Sequence, residues 1–113
     1  MKLTFLGTGT SFGIPQIGCA CPVCHSTDPR DRRCRSGAVV EDNGHALLID
    51  TPPELRLQLL EAGISRIDAV LYTHEHADHL NGIDDLRVFS VRAKVPLRCY
   101  GPHETLSRIR EGF

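Results

Sequence analysis

Thr73-His74-Glu75-His76-Ala77-Asp78-His79 follows directly on the largely apolar run of residues 67–72. Three imidazoles and the carboxylate of Asp78 lie within six residues. Divalent metals are bound by this mixture of nitrogen and oxygen donors, and a buried strand can hold such ligands stiffly at the edge of a sheet. The alternative is a polar surface turn that happens to be rich in histidine. The density of ligand side chains favours the first half of a two-metal hydrolytic centre.

The spacing within the motif divides its ligands into two pairs. His74 and His76 are two residues apart, so in an extended chain they project to the same side and can bind one ion. Asp78 and His79 are adjacent and are expected in the turn that follows, where they can face a second ion. Asp78 is also the candidate catalytic residue. Glu75 is expected to point away from the first pair and can orient a ligand.

Three of the five cysteines are crowded into one short loop; the five are Cys19, Cys21, Cys24, Cys34 and Cys99. The odd number argues against a disulfide framework. Three interpretations of the triplet Cys19, Cys21 and Cys24 stay open: a structural zinc site, a redox-active thiol pair, or plain buried cysteines. Ligand spacing favours zinc, which needs a fourth ligand. His25 would be strained in that role, and Cys34 is a possible substitute.

Composition limits the classes of function. The 113 residues are 41% hydrophobic and carry a formal net charge of −1, which gives no general attraction to nucleic acid or to an anionic membrane. No apolar stretch is long enough to span a bilayer and no secretory segment is visible, so the expected location is the cytoplasm. A homodimer is compatible with this composition.

Four arginines form a basic cluster broken by one aspartate: Arg30, Arg32, Arg33 and Arg35. Arginine suits bidentate contacts with phosphate, so the cluster could reach a phosphorylated substrate. Such a run is more often a solvated loop, and we favour that interpretation.

The hydrophobic pattern predicts strands first and then alternating strands and helices. Strands are predicted over residues 2–6, 36–41, 45–49, 67–72 and 95–100, and helices over 51–63, 80–89 and 105–110. Asn43-Gly44 predicts a tight hairpin turn, because both residues accept a positive φ at low cost.

The helix after residue 50 has recognisable end signals. Thr51 is the predicted N-cap, with Glu54 completing a capping box. Leu55, Leu59 and Leu60 form its predicted apolar face. Gly63 is expected to end the helix.

The motif resembles His-x-His-x-Asp-His, the signature of the metallo-β-lactamase superfamily. The opening residues 3–11 and the run Leu47-Leu48-Ile49-Asp50 resemble the same family. The cysteine loop, residues 18–24, resembles that of the phosphodiesterases of the carbon–phosphorus lyase pathway. The resemblance extends from Met1 to about Pro102.

The resemblance implies a fold and a missing part. It implies an α/β chain forming the N-terminal half of a four-layer α-β-β-α sandwich, so residues 1–113 would be the N-terminal part of a single domain whose C-terminal half is absent from this chain. The later half of the family supplies further ligands, and His103 is not a convincing match to them. We expect residues 1–113 alone to expose a large apolar surface and to aggregate or stay loosely packed.

The resemblance also implies cofactors and a role for Asp50. Two divalent ions, zinc or manganese, would bind at the histidine motif, and one structural zinc at the cysteine loop. Asp50 would hydrogen-bond and orient the ligands; the alternative is a turn or capping aspartate. A pair of divalent ions activates water and neutralises charge on a phosphoryl group.

Three hypotheses of function follow. The first is a phosphodiesterase that hydrolyses a small or cyclic phosphate ester, with a small-molecule phosphate ester as its partner. The second is another hydrolase of this fold, acting on a thioester, a lactone or an RNA 3′ end. The third is a truncated, non-catalytic metal-binding product. The Cys-x-Cys-x-x-Cys loop favours the first, and the chain alone is expected to be inactive.

Overall fold

A single mixed sheet of five strands runs through the computed structural model, which describes residues 1–113. The strands are β1 (Lys2–Gly7), β2 (Gly37–Asp42), β3 (His45–Ile49), β4 (Ala69–Leu71) and β5 (Arg98–Tyr100). They lie side by side in chain order. The first three pair antiparallel, whereas β3, β4 and β5 pair parallel. All five predicted strands are present, although β4 and β5 are shorter than predicted.

The turn between β2 and β3 is the hairpin that the sequence predicted. Asn43 has a φ of 50° and Gly44 a φ of 78°, the left-handed values that a two-residue turn of this kind requires. Asp42 and His45 pair across it. This register places alternate residues of both strands on one face of the sheet.

Four α-helices complete the fold: α1 (Leu55–Ala62), α2 (Ala77–Leu80), α3 (Arg87–Ala93) and α4 (His103–Gly112). Short 3₁₀ turns occupy Pro29–Asp31 and Ile83–Leu86. No helix has the length and apolar character needed to cross a membrane.

The core lies between the sheet and the helices. Val39, Leu48 and Val70 are fully buried on one face of the central strands. Leu55 and Leu59 of α1 belong to the same buried cluster. Each such side chain contributes about 1.5–3 kcal/mol when it leaves water, so this face stabilises the placement of β3 and β4.

The opposite face of the sheet is uncovered. The strand register aligns one row across it, consisting of Phe5, Ala38, Ile49, Leu71 and Tyr100. Phe5 is 68% exposed and Tyr100 is 49% exposed. The prediction of a large exposed apolar surface is confirmed for residues 1–113.

The predicted capping box at Thr51 is wrong. Helix α1 begins at Leu55 after Glu54, and no side chain caps it. Thr51 is instead fully buried, and its hydroxyl donates to the carbonyl of Leu80. The Thr51 side chain therefore makes a tertiary hydrogen bond instead of the helix cap that the local pattern predicts.

Two further helix predictions need correction. The pattern predicts Leu60 on the apolar face of α1, but this residue is 66% exposed, whereas Leu55 and Leu59 are buried as predicted. The helix predicted over 80–89 is broken into α2, a 3₁₀ turn and α3. Gly63 does end α1, with a φ of 70°.

Candidate metal centre

The candidate centre lies at the edge of the sheet where parallel strands β3 and β4 end. Asp50 directly follows β3, and its N–H donates to the carbonyl of Leu71 at 2.9 Å. The motif follows β4, so the chain carries its first residues away from the same edge. Parallel pairing thereby brings Asp50 to the histidines across more than twenty residues of sequence.

Asp50 is a buried residue whose carboxylate joins several groups at this edge of the sheet. It is 4% exposed and has a φ of 63°, a left-handed value that aspartate tolerates better than most residues. Its Oδ1 accepts from the N–H of Thr73 at 2.8 Å. Its Oδ2 accepts from the Thr73 hydroxyl at 2.6 Å and lies 2.8 Å from Nδ1 of His79. Both oxygens thus accept hydrogen bonds from the motif, which supports an orienting role.

Asp78 and His79 form a ready pair of ligands. They lie in the first turn of α2 rather than in a loop, which corrects the predicted turn. Nε2 of His79 lies 3.2 Å from Oδ2 of Asp78. Because Nδ1 of His79 faces Asp50, Nε2 of the neutral ring carries a lone pair and meets a second acceptor. Only a cation, either a proton or a metal ion, resolves that contact.

The distance between these two atoms suits a metal ion. Metal bonds to imidazole nitrogen and carboxylate oxygen are roughly 2.1 Å long, so one divalent cation could bond to two atoms that are 3.2 Å apart. The residues present therefore fit a divalent cation.

The three imidazoles form one continuous cluster. The ring centroids of His74 and His79 are 4.1 Å apart, and those of His74 and His76 are 4.5 Å apart. His76 is exposed, whereas His74 and His79 are half-buried. Asp50, His74 and His79 each offer a ligand atom within 4.8 Å of the others. The structure thus brings the predicted motif residues together; their division between two ions stays a prediction.

The backbone behind the cluster is tied to the segment after Asp50. The N–H of Thr51 donates to the carbonyl of His79, and the N–H of Gly82 donates to the carbonyl of Thr51. A Cβ on Gly82 would lie 2.0 Å from the carbonyl oxygen of Pro52, so only glycine fits there. This close approach also explains why the helix predicted over 80–89 breaks.

Tyr72 supports the same segment from the core. It is 1% exposed, and its hydroxyl lies 3.1 Å from that of Thr51. Burial raises the pKa of the Tyr72 phenol above its ordinary range, so the group stays protonated. It can donate to Thr51, whose own proton goes to Leu80.

A second ligand cluster lies in the cysteine loop. Cys19, Cys21 and Cys24 each offer a sulfur within 4.8 Å of the others. The N–H of Cys24 donates to Sγ of Cys21 at 3.4 Å. This bond and the side chain of Cys19 lower the pKa of Cys21 to about 7. A thiolate is therefore available near neutral pH, which suits metal binding.

Other candidates lie apart from both clusters. Neither His25 nor Cys34 joins the cysteine group, so neither is a fourth ligand in this arrangement. His103 is exposed at the start of α4 and belongs to neither cluster. Glu75 accepts a hydrogen bond from Thr105 of α4 at 3.2 Å, so it anchors that helix and makes no hydrogen bond to a histidine.

Most of the basic cluster is engaged within the chain. Arg30 pairs with Asp28, and Arg33 donates to the hydroxyl of Thr8. Arg35 donates to the carboxylate of Glu54. Burial opposes the charge of Glu54, but the hydrogen bonds from Arg35 outweigh it and lower the pKa of Glu54. Arg30, Arg32 and Arg33 are exposed, which agrees with the solvated-loop interpretation, whereas Arg35 is half-buried in its ion pair with Glu54.

Sequence reasoning missed Thr73. The motif pattern indicates no role for this residue, yet its hydroxyl contacts both Asp50 and Nδ1 of His74. The available signal was its position, directly between the strand and the first ligand.

Comparison with known proteins gives consistent matches. A family model described as a beta-lactamase superfamily domain matches residues 45–113. The chain is 45% identical over 112 residues to the octanoyltransferase of Porphyromonas gingivalis, a match that covers 98% of this chain and 22% of that protein.

Two solved structures share the fold. One, described as a new diphosphatase from the PhnP family, has a TM-score of 0.92 and 46% identity, covering 96% of this chain and 44% of that one. The zinc-bound PqqB of Methylobacterium extorquens has a TM-score of 0.80 and 25% identity, covering 99% and 40%. The chain therefore spans less than half of each of these three proteins. That residues 1–113 are one part of a longer domain stays a prediction.

Proposed function

Since this chain belongs to the beta-lactamase superfamily and has the mixed α/β fold that the sequence predicted, we propose that it carries the metal-binding motif of a metal-dependent hydrolase. The most specific form of the proposal is a phosphodiesterase that acts on a small or cyclic phosphate ester. It would use two divalent cations, zinc or manganese, at the histidine motif.

One observation carries the proposal. Nε2 of His79 and Oδ2 of Asp78 face each other at 3.2 Å, and the buried Asp50 holds the other side of the same imidazole. A lone pair facing a carboxylate is an unfavourable contact unless a cation lies between them. The arrangement therefore calls for positive charge between the two side chains, and a divalent cation bound by both would supply it.

Each motif residue has a distinct part. His74 and His76 would hold one cation and Asp78 and His79 the other. Divalent cations at this site would supply the positive charge that activates water and stabilises charge on phosphoryl oxygens. Asp50 keeps the imidazole of His79 in position, which limits the loss of conformational entropy when a cation binds.

The cysteine loop supports a separate structural zinc. Three sulfurs converge within 4.8 Å, and the pKa of Cys21 lies near 7. Tetrahedral zinc prefers such thiolates and needs a fourth donor. The zinc in this loop would be a structural ion with no part in hydrolysis.

The substrate class rests on similarity and on charge. The likeness to a diphosphatase at 46% identity supports a phosphoryl substrate. Two of the four clustered arginines, Arg30 and Arg35, are paired with carboxylates within the chain, which argues against a broad basic surface for RNA. The name octanoyltransferase belongs to a protein of which the match covers 22%, and we carry no acyl transfer over from it.

The experiment is hydrolysis of bis(p-nitrophenyl) phosphate by the intact protein loaded with manganese or with zinc. We expect turnover that His76→Ala and Asp78→Ala abolish. His45→Ala is the matched control, because His45 lies at the opposite end of β3 and should leave turnover unchanged. No turnover on any phosphodiester would refute the phosphodiesterase. Hydrolysis of a lactone, a thioester or an RNA 3′ end instead would favour another hydrolase of this fold.

A further inference from the structure

The Thr73 hydroxyl lies between the buried carboxylate and one of the ligand histidines. Its Oγ1 is 2.6 Å from Oδ2 of Asp50 and 2.8 Å from Nδ1 of His74. Thr73 itself offers no ligand to the cluster. Its backbone N–H donates to Oδ1 of the same carboxylate at 2.8 Å, so the residue is fixed at two points.

Counting protons settles the direction of these bonds. An ionised carboxylate only accepts, so the short contact requires the Thr73 hydroxyl to donate to Asp50. The hydroxyl has one proton, and once that proton is given away the oxygen can only accept. Nδ1 of His74 must then carry a hydrogen and donate to Thr73. The remaining ring nitrogen, Nε2, keeps its lone pair.

We propose that Thr73 is a positioning residue. Its hydroxyl donates to Asp50 and accepts from Nδ1 of His74, and this relay fixes His74 as its Nδ1–H tautomer. His79 is fixed in the same tautomer directly, because its Nδ1 lies 2.8 Å from Oδ2 of Asp50. Oδ2 of Asp50 therefore sets the tautomer of both imidazoles: that of His79 by direct contact and that of His74 through the Thr73 hydroxyl. Both rings then present Nε2 as the atom that can bind a metal ion.

The relay explains why a threonine suits this position. Serine would supply the same hydroxyl, whereas valine has nearly the same shape and no polar group. The Thr73 backbone and its methyl group are kept in valine, and the residue is exposed, so the substitution leaves the core untouched. The two variants separate the hydroxyl from the bulk of the side chain.

The first test reads the tautomers without any metal. Long-range proton–nitrogen correlation spectra of the metal-free intact protein, recorded at about pH 8.5 where free imidazole is neutral, distinguish Nδ1–H from Nε2–H rings. We expect an Nδ1–H pattern for His74 in the wild type and in Thr73→Ser. In Thr73→Val, His74 should change to a mixture of tautomers while His79 keeps its pattern.

The second test reads metal affinity and rests on the proposed function. Zinc affinity of the histidine site should fall about 10-fold or more in Thr73→Val and stay within about threefold of wild type in Thr73→Ser, as for other partners of metal-binding histidines. An Nε2–H pattern for His74 in the wild type would overturn the relay, as would an unchanged His74 pattern in Thr73→Val. A wild type that shows the relay but binds no metal would refute the proposed function alone.

Discussion

The two ligand clusters of this chain are built in opposite ways. The histidine cluster rests on buried groups: Asp50 is 4% exposed, Thr51 is fully buried and Tyr72 is 1% exposed. The cysteine cluster lies in a loop where Ile17 is fully exposed and Val23 is 46% exposed. Its sulfurs are held by two long N–H···S contacts of 3.4 Å, together with local turns.

The difference separates a preorganised site from one that depends on its metal. Core packing and hydrogen bonds hold the histidine ligands before any ion arrives, so binding there orders few groups. The cysteine loop has little apolar burial to hold it, and coordination itself would supply its structure. Disturbing the core should therefore damage the histidine site and leave the cysteine loop intact. Removing zinc should destabilise the cysteine loop and leave the histidine ligands in position.

The largest effect is expected for Gly82→Ala. The added Cβ would meet the backbone of Pro52 at 2.0 Å, so the segment carrying His79 must shift. We expect the free energy of unfolding of the intact protein to fall by about 3 kcal/mol, measured by denaturant unfolding. Metal at the histidine site should weaken while the loop keeps its zinc. Gly112→Ala is the control, because nothing lies within 4 Å of its Cβ and stability should not fall.

Asp50→Asn should have the next largest effect. Asparagine keeps the shape of the side chain and tolerates the left-handed backbone. Its NH₂ group, however, replaces one accepting oxygen and would face the N–H or O–H donors of Thr73 or His79. We expect metal affinity at the histidine site to fall about 10- to 100-fold, measured by competition with a chelator. Asp42→Asn, an exposed aspartate, is the matched control. Equal metal affinity in both variants would contradict the role of Asp50 in orienting the ligands.

Cys19→Ser sharpens the comparison from the other side. It should remove one equivalent of zinc by elemental analysis and leave binding at the histidines unchanged. In the absence of zinc the free energy of unfolding should change by less than about 1 kcal/mol, because the residue is half-buried in an exposed loop. Cys34→Ser should lose no zinc, since Cys34 lies outside the cluster. Loss of metal from the histidine site in Cys19→Ser would show that the two clusters are coupled.

The smallest effect is a change in chemical reactivity. In metal-free protein, alkylation of Cys21 should be half-maximal at about pH 7, because the N–H of Cys24 and the thiol of Cys19 lower its pKa. Above that pH the thiolate reacts, and below it the proton protects the sulfur. Mass spectrometry after timed alkylation measures the profile. Added zinc should suppress the reaction, and a profile typical of an unperturbed thiol would contradict the local hydrogen bonding.

Local signals were sufficient wherever local physics decides the structure. The hairpin at Asn43-Gly44 and the end of α1 at Gly63 both depend on positive φ, which the residue type reports directly. The ligand cluster was also visible, because its members are close in sequence. The clustering of Asp50 with residues 73–79 was expected from family resemblance, and parallel pairing of β3 and β4 produces it.

Local signals failed where one side chain serves a distant partner. Thr51 has the pattern of a helix cap, yet its hydroxyl is used to join Leu80 and Tyr72. The break after α2 depends on the close approach of Gly82 to Pro52, which no periodicity encodes. The role of Thr73 is likewise a contact with Asp50 through a side chain, and it becomes visible only when the two strands are side by side.

The left-handed backbone of Asp50 has a consequence for how this position can vary. Glycine, asparagine and aspartate are the residue types that adopt a φ of 63° readily, and of these only aspartate offers two accepting oxygens. Saturation mutagenesis of this codon, scored once for protein abundance and once for catalysis, should give two different lists. Three residue types should survive the first selection and one the second, so variants with glycine or asparagine here would fold but lose function.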